Sequence, residues 1–173
     1  MKFVYPLDKI YITQYFGSRP EVYKPLQGHS GIDFRTKFDV SNNGNISVYA
    51  VASGEIKDAG NQGKTGFGKY VRLKHEDGSE TVYGHLSQVL VEKGQKVESK
   101  QQIGISGNTG FSSGAHLHFG YRPPKYNYKN GSPHGIIHYN ENQEIIWAGL
   151  GATAIKRHVF EKLGKPYFRT DTR

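Results

Sequence analysis

Cysteine is absent from the 173 residues, which excludes disulfide staples, thiolate metal sites and a cysteine nucleophile. Any metal must therefore be held by nitrogen and oxygen. Long hydrophobic runs are missing too. The longest apolar-plus-small run, residues 145–155, is too short to span a bilayer, so no transmembrane segment is expected. The opening Met1-Lys2-Phe3-Val4-Tyr5-Pro6 turns polar at Asp8 and Lys9 before the apolar stretch of a signal peptide could form. There is no repeat of 20 to 50 residues and no block of like charge.

What is present points to a folded strand-and-turn protein. Aromatic residues make up 13% of the chain, with 12 Tyr and 9 Phe, which disfavours disorder. The 22 Gly fall singly between short apolar runs, so they mark turns and exclude a collagen-like period. The formal charge of +8 would favour an anionic surface such as nucleic acid, phospholipid or an acidic wall polymer, but its even spread selects none of them. The length suits one domain with a short appendage.

Segments with β-branched and aromatic character predict strands over residues 47–51, 54–58, 70–75, 80–85, 102–105 and 116–121. Glu76-Asp77-Gly78-Ser79, between two alternating segments, is where a hairpin turn with a residue at positive φ belongs. Residues 41–45 and 64–68 read as longer loops, and Ser106-Gly107-Asn108-Thr109-Gly110 as a glycine-punctuated turn. The expected fold is all-β, mainly antiparallel sheets forming a sandwich or open barrel with a groove. After Arg122 the character changes to a proline-led polar loop, which sets a boundary between a core of residues 1–122 and a C-terminal extension of residues 123–173. In that extension residues 144–147 suit a strand, and Ile155, Val159, Phe160 and Leu163 recur at helical spacing until Gly164 and Pro166 stop a short helix.

Three histidine-bearing segments stand out. In Gly28-His29-Ser30-Gly31-Ile32-Asp33-Phe34 the glycines disfavour a helix. On a strand, Ile32 and Phe34 would face the core while Asp33 faces the other way, with His29 arriving on the preceding loop. In Ala115-His116-Leu117-His118-Phe119 the two imidazoles share one strand face and the apolar residues the other, which suits either a metal site or a solvated pair. His85, in Tyr83-Gly84-His85-Leu86, ends a strand and says little alone. His75, His134, His138 and His158 lack such company and read as ordinary surface residues.

In chain order His29-x-x-x-Asp33, His85, and His116-x-His118 resemble the motifs of the lysostaphin-type, or LytM-like, zinc endopeptidases that cleave bacterial peptidoglycan. Tyr15-Phe16-Gly17-Ser18-Arg19, Val51-Ala52-Ser53-Gly54-Glu55-Ile56, Gly94-Gln95-Lys96-Val97 and Ile103-Gly104-Ile105-Ser106-Gly107-Asn108-Thr109-Gly110 are similar too, so the likeness covers about residues 5–121. The resemblance implies one Zn²⁺ held by His29, Asp33 and His118, with an open position for water or substrate. It implies His116 as general base and His85 as its partner, both with near-neutral pKa values, and Tyr23 as a hydrogen-bond donor to the intermediate.

It further implies bacterial peptidoglycan as partner, a monomer, no nucleic acid, and action at the wall outside the cytoplasm. With no signal peptide visible, the chain is expected to be a mature fragment, a phage lysin or a virion-associated protein. The alternative is a degenerate relative that binds the wall or regulates another hydrolase. A carrier module like the biotinyl and lipoyl domains would need a modified lysine in its own turn motif, and residues 94–104 contain no such motif.

Overall fold

The computed structural model describes residues 3–23, 28–39, 41, 43–122, 124, 136–139 and 145–149. Twelve strands occur among them: β1 (Ile12–Gln14), β2 (Ile32–Arg35), β3 (Ser47–Tyr49), β4 (Gly54–Asn61), β5 (Lys69–Lys74), β6 (Glu80–Leu86), β7 (Gln88–Val89), β8 (Lys96–Val97), β9 (Gln102–Ile105), β10 (His116–Arg122), β11 (Ile136–Tyr139) and β12 (Ile145–Gly149). All pairings are antiparallel. A seven-stranded sheet runs β1-β2-β10-β6-β5-β4-β8, a three-stranded sheet runs β3-β9-β7, and β11 pairs with β12. The large sheet is open at both edges and does not close into a barrel.

Each of the six strands expected in the core forms within a few residues of its predicted span, and β12 overlaps the strand expected over 144–147. The hairpin turn is as expected: Gly78 adopts φ +83°, and the His75 N–H donates to the Ser79 carbonyl at 2.9 Å. The helix expected over 155–163 lies outside the described residues.

The alternating pattern of the long strands decides which face is buried. Leu117, Phe119 and Tyr121 of β10, Phe34 of β2, Val71 and Leu73 of β5 and Tyr83 of β6 join Val48 of β3 and Ile103 of β9 in one apolar cluster between the two sheets. Burying each such side chain contributes roughly 1.5–3 kcal/mol. Residues His116 and His118, which alternate with these on β10, are thereby turned to the opposite face of the large sheet. The register places His118 opposite Asp33 on one side and opposite Gly84 on the other.

His75 corrects an expectation. It is not a surface residue: it is 2% exposed, with its ring 5.0 Å from that of Phe3. Its Nδ1–H donates to the Ser53 carbonyl at 3.0 Å, so Nε2 accepts from the Thr81 hydroxyl at 2.9 Å. Tyr83 Oη then donates to Thr81 Oγ1 at 3.1 Å and accepts the Val51 N–H at 3.0 Å. With His75 neutral every proton of this hydrogen-bond chain has an acceptor, and burial pushes the His75 pKa below the ordinary histidine value.

A group of this kind binds its proton more readily in the unfolded chain. Its stabilising effect is therefore whole above about pH 6.5 and is lost as pH falls from there towards the lower folded pKa. His75→Phe should cost about 1–3 kcal/mol at pH 7.5 by taking the His75 partner from the Thr81 hydroxyl and the Ser53 carbonyl. Urea unfolding of zinc-loaded protein should show the gap to wild type narrowing at pH 5. A gap independent of pH would refute the neutral assignment.

Candidate active site

His29 sits on the loop before β2. The segment is built by backbone pairing: the Gly17 N–H donates to the His29 carbonyl and the His29 N–H to the Ser18 carbonyl, both at 2.8 Å. Gly28 makes this approach possible, since it stands at φ +131° and a Cβ there would lie 2.7 Å from Gly17 Cα. The turn also fixes the imidazole, because His29 Nδ1 lies 3.3 Å from the Tyr15 carbonyl. A carbonyl can only accept, so Nδ1 carries the proton and Nε2 presents its lone pair.

That lone pair faces two further donors of the same kind. His29 Nε2 is 3.0 Å from His118 Nδ1 and 3.1 Å from Asp33 Oδ1, and His118 Nδ1 is 3.1 Å from Asp33 Oδ1. The three side chains are buried, at 3%, 3% and 6% exposure for His29, His118 and Asp33. Burial alone would raise the Asp33 pKa, but the imidazoles of His118 and His29 packed against the carboxylate hold it well below the usual carboxylate range. Burial likewise pushes His118 down, which favours the neutral ring.

Three electron-pair donors thus converge in a dry place with at most one proton, on His118 Nδ1, to share between them. If Nδ1 is instead a donor to a cation, the proton resides on Nε2, a buried atom with no hydrogen-bond partner among the described residues. Tetrahedral zinc with bonds of about 2.0–2.1 Å spaces its donors about 3.3–3.4 Å apart. The observed triangle lies within a few tenths of an ångström of that spacing. Two nitrogens and one oxygen suit Zn²⁺ better than Ca²⁺ or Mg²⁺, which prefer all-oxygen shells. The residues present fit the zinc, which is the cofactor of this site.

Two more imidazoles border the triangle. His116 stands beside Asp33, with Nε2 3.5 Å from Oδ2. Its Nδ1 lies 2.7 Å from the Gly114 carbonyl and 3.2 Å from Ser112 Oγ. His85 has its Nδ1 2.7 Å from the Thr109 carbonyl, and its ring centroid is 4.6 Å from that of His116. Both rings therefore carry a proton on Nδ1.

His85 owes its direction to the backbone. It adopts φ +62°, a left-handed conformation unfavourable for a side chain of this size. The β5–β6 ladder slips at the same place, between the pairs Lys69 with Leu86 and Val71 with Tyr83. Such a bulge re-aims a side chain. Unbroken alternation would send His85 into the core behind Tyr83. One expectation changes here: His85 is not near neutrality. Burial, reinforced by His116 and His118, pushes it down to about 4.

Tyr23 reaches the site as well, its ring centroid 5.1 Å from that of His29. Its Oη accepts from Gln14 Nε2 at 2.9 Å, which leaves its own proton to donate. The structure thus brings together all six residues singled out from the sequence. It adds Phe67, whose ring lies 5.1 Å from that of His118, Ser112, and the carbonyls of Tyr15, Thr109 and Gly114. The glycine-punctuated turn that bears Thr109 was visible in the sequence, but backbone acceptors carry no residue-type signal.

Comparison with known proteins gives the same picture. Peptidoglycan DD-endopeptidase ShyA of Vibrio cholerae is 38% identical over 118 residues, which are 66% of this chain and 26% of ShyA. The catalytic domain of lysostaphin from Staphylococcus simulans superposes with a TM-score of 0.56 at 31% identity, covering 68% of this chain and 84% of that domain. A zinc-containing peptidase from Vibrio cholerae gives 0.57 at 33% identity, over 70% of this chain and 36% of its own. The chain spans between 12% and 28% of the length of the curated relatives it matches. The description Peptidase family M23 matches residues 27–133, and with the buried histidine-aspartate-histidine triangle inside that span, the chain belongs to peptidase family M23.

Proposed function

We propose that the chain is a zinc-dependent endopeptidase that hydrolyses peptide bonds of bacterial peptidoglycan, in stem peptides or cross-bridges, and works at the wall as a monomer. The observation that carries this reading is the buried triangle of donors flanked by two imidazoles, His116 with its Nε2 beside Asp33 and His85 with its ring against that of His116. His29 through Nε2, Asp33 through Oδ1 and His118 through Nδ1 would hold the zinc. When bound, the zinc supplies a Lewis acid that polarises a peptide carbonyl and makes water acidic.

The other residues handle protons. His116 takes one from the attacking water at Nε2. The Asp33 carboxylate beside it favours the imidazolium that results, and the Gly114 carbonyl keeps the ring in the required tautomer. The same proton then passes to the leaving amine. His85, buried and neutral, is the partner: its Nε2 accepts a hydrogen bond and orients the group that bears the moving proton. Tyr23 donates its hydroxyl proton to the oxygen on which charge develops.

The core of residues 1–122 carries all of these groups, and residues 123–173 are an extension to it. The net charge of +8 suits an acidic envelope. Among the described residues no helix is long and apolar enough to cross a membrane.

Mass spectrometry of peptidoglycan fragments after digestion with zinc-loaded protein tests the proposal, because it reports activity and bond together. Intact wall after digestion with fully metallated, folded protein would favour the non-catalytic relative. Tyr23→Phe should keep zinc and KM and lower kcat on the order of 10²-fold. An unchanged kcat would make Tyr23 a groove-wall aromatic.

A further inference from the structure

The strained placement of His85 needs a support that the alternation of β6 does not supply. Thr109, on the loop of residues 106–115 between β9 and β10, touches it from two sides. Its carbonyl accepts the His85 Nδ1–H at 2.7 Å. Its hydroxyl donates to the carbonyl of the next residue, Leu86, at 2.8 Å. The same oxygen accepts the Lys69 N–H at 2.9 Å.

Lys69 and Leu86 are the pair beyond the slip in the β5–β6 ladder, so the Thr109 side chain fills the gap that the bulge opens. The loop itself is fixed in place. The Phe111 N–H donates to the Gly66 carbonyl at 2.9 Å. Gly68 and Gly110 meet backbone to backbone, where a Cβ on Gly110 would lie 2.6 Å from Gly68 Cα.

We propose that Thr109 is the positioning residue for His85, holding the bulged strand with its hydroxyl and the imidazole in the Nδ1–H tautomer with its carbonyl. This rests on the peptidase reading only in so far as His85 serves turnover. Among the described residues the Thr109 hydrogen bonds go to His85, Leu86 and Lys69, none of them a zinc ligand. Removing its hydroxyl frees the Leu86 carbonyl and the Lys69 N–H, so the bulged strand loses its hold and shifts the His85 ring away from the Thr109 carbonyl, which the loop keeps in place. The ring then loses its fixed orientation, and a displacement of about 1 Å at a catalytic group can lower the rate about 100-fold.

Thr109→Val, nearly the same shape without the hydroxyl, should lower kcat about 10- to 100-fold with KM and bound zinc at wild-type levels. Thr109→Ser should restore kcat. Nitrogen-15 NMR of the zinc-loaded imidazoles supplies a readout apart from turnover. Wild type and Thr109→Ser should show His85 protonated at Nδ1, with coupling across the hydrogen bond to the Thr109 carbonyl carbon, and Thr109→Val should lose that coupling.

Wild-type His85 protonated at Nε2, or Thr109→Val with wild-type kcat and an unchanged His85 signal, would overturn the proposal. Should Thr109→Val fail to fold, the wild-type coupling and the Thr109→Ser rates still decide. A wild-type protein that holds zinc and shows the His85 coupling but leaves peptidoglycan intact would instead refute the peptidase reading.

Discussion

His118→Ala should lose bound zinc and turnover together, whereas His116→Ala should keep its zinc and lose turnover alone. The two residues are neighbours on one face of one strand, so strand position does not separate them, although His118 is buried and His116 partly exposed. What separates them is the atom each presents. His118 Nδ1 closes a triangle with His29 Nε2 and Asp33 Oδ1 at 3.0–3.1 Å, and the loss of one corner leaves only two ligands. Zinc affinity should fall by more than the roughly 10- to 100-fold that loss of an outer-shell partner costs.

His116 reaches only Asp33 Oδ2, at 3.5 Å, and its removal leaves the triangle whole. A general base is worth about 10²–10⁴-fold in rate, which sets the expected fall in kcat. Metal analysis of the purified variants, together with circular dichroism to establish folding, checks both. Equal zinc loss in the two variants would refute the division of roles.

Gly31→Ala should weaken zinc binding although it replaces no ligand. Gly31 is not at positive φ, so sterics alone decide. A Cβ there would lie 2.8 Å from both Nε2 and Cε1 of His118, and closer still to the Phe119 carbonyl oxygen. The His118 ring has nowhere to go. The Phe67 ring stands 5.1 Å from it and the His29 ring 4.8 Å. Any shift that relieves the methyl group carries Nδ1 out of the triangle.

We expect a 10- to 100-fold loss of zinc affinity, about that of an outer-shell defect, and about 1–3 kcal/mol of overpacking strain. Chelator competition measures the first and thermal unfolding the second. Excess zinc should restore turnover to Gly31→Ala but not to His118→Ala. A Gly31→Ala protein with wild-type zinc affinity would show that the contact yields elsewhere.

Strand alternation and residue type made it legible that Asp33, His116 and His118 turn away from the core, and only the family resemblance singled out His29, Asp33 and His118 as the ligands. Ile32 and Phe34 had to face the core, which turned Asp33 outward, and Leu117 and Phe119 did the same for His116 and His118. The position of His85 was legible only through the family resemblance. Its direction depends on a left-handed residue and a ladder slip, which no local pattern announces.

The partners that fix its tautomer and that of His116 were hidden for a different reason. A carbonyl belongs to every residue, and which carbonyl arrives is settled by how loops 106–115 and 62–68 dock. His75 went unrecognised as a core residue because its burial comes from Phe3 and Ser53, far from it in sequence. A histidine after a turn has no feature of its own that reports a ring pressed against it from elsewhere.

The pairing of β10 between β2 and β6 sets the order in which function can emerge. His29 and His118 are 89 residues apart, and Asp33 and His118 are 85. The strand that joins them is threaded into the middle of the large sheet, though it follows the rest of that sheet in the chain. A ribosome must therefore release nearly the whole core before the three donors can meet, and until that slow long-range closure no partial product can grip the ion. A metal site built this way stays open until the strand of residues 116–122 has joined the sheet, so only a chain with a nearly complete core can hold the ion.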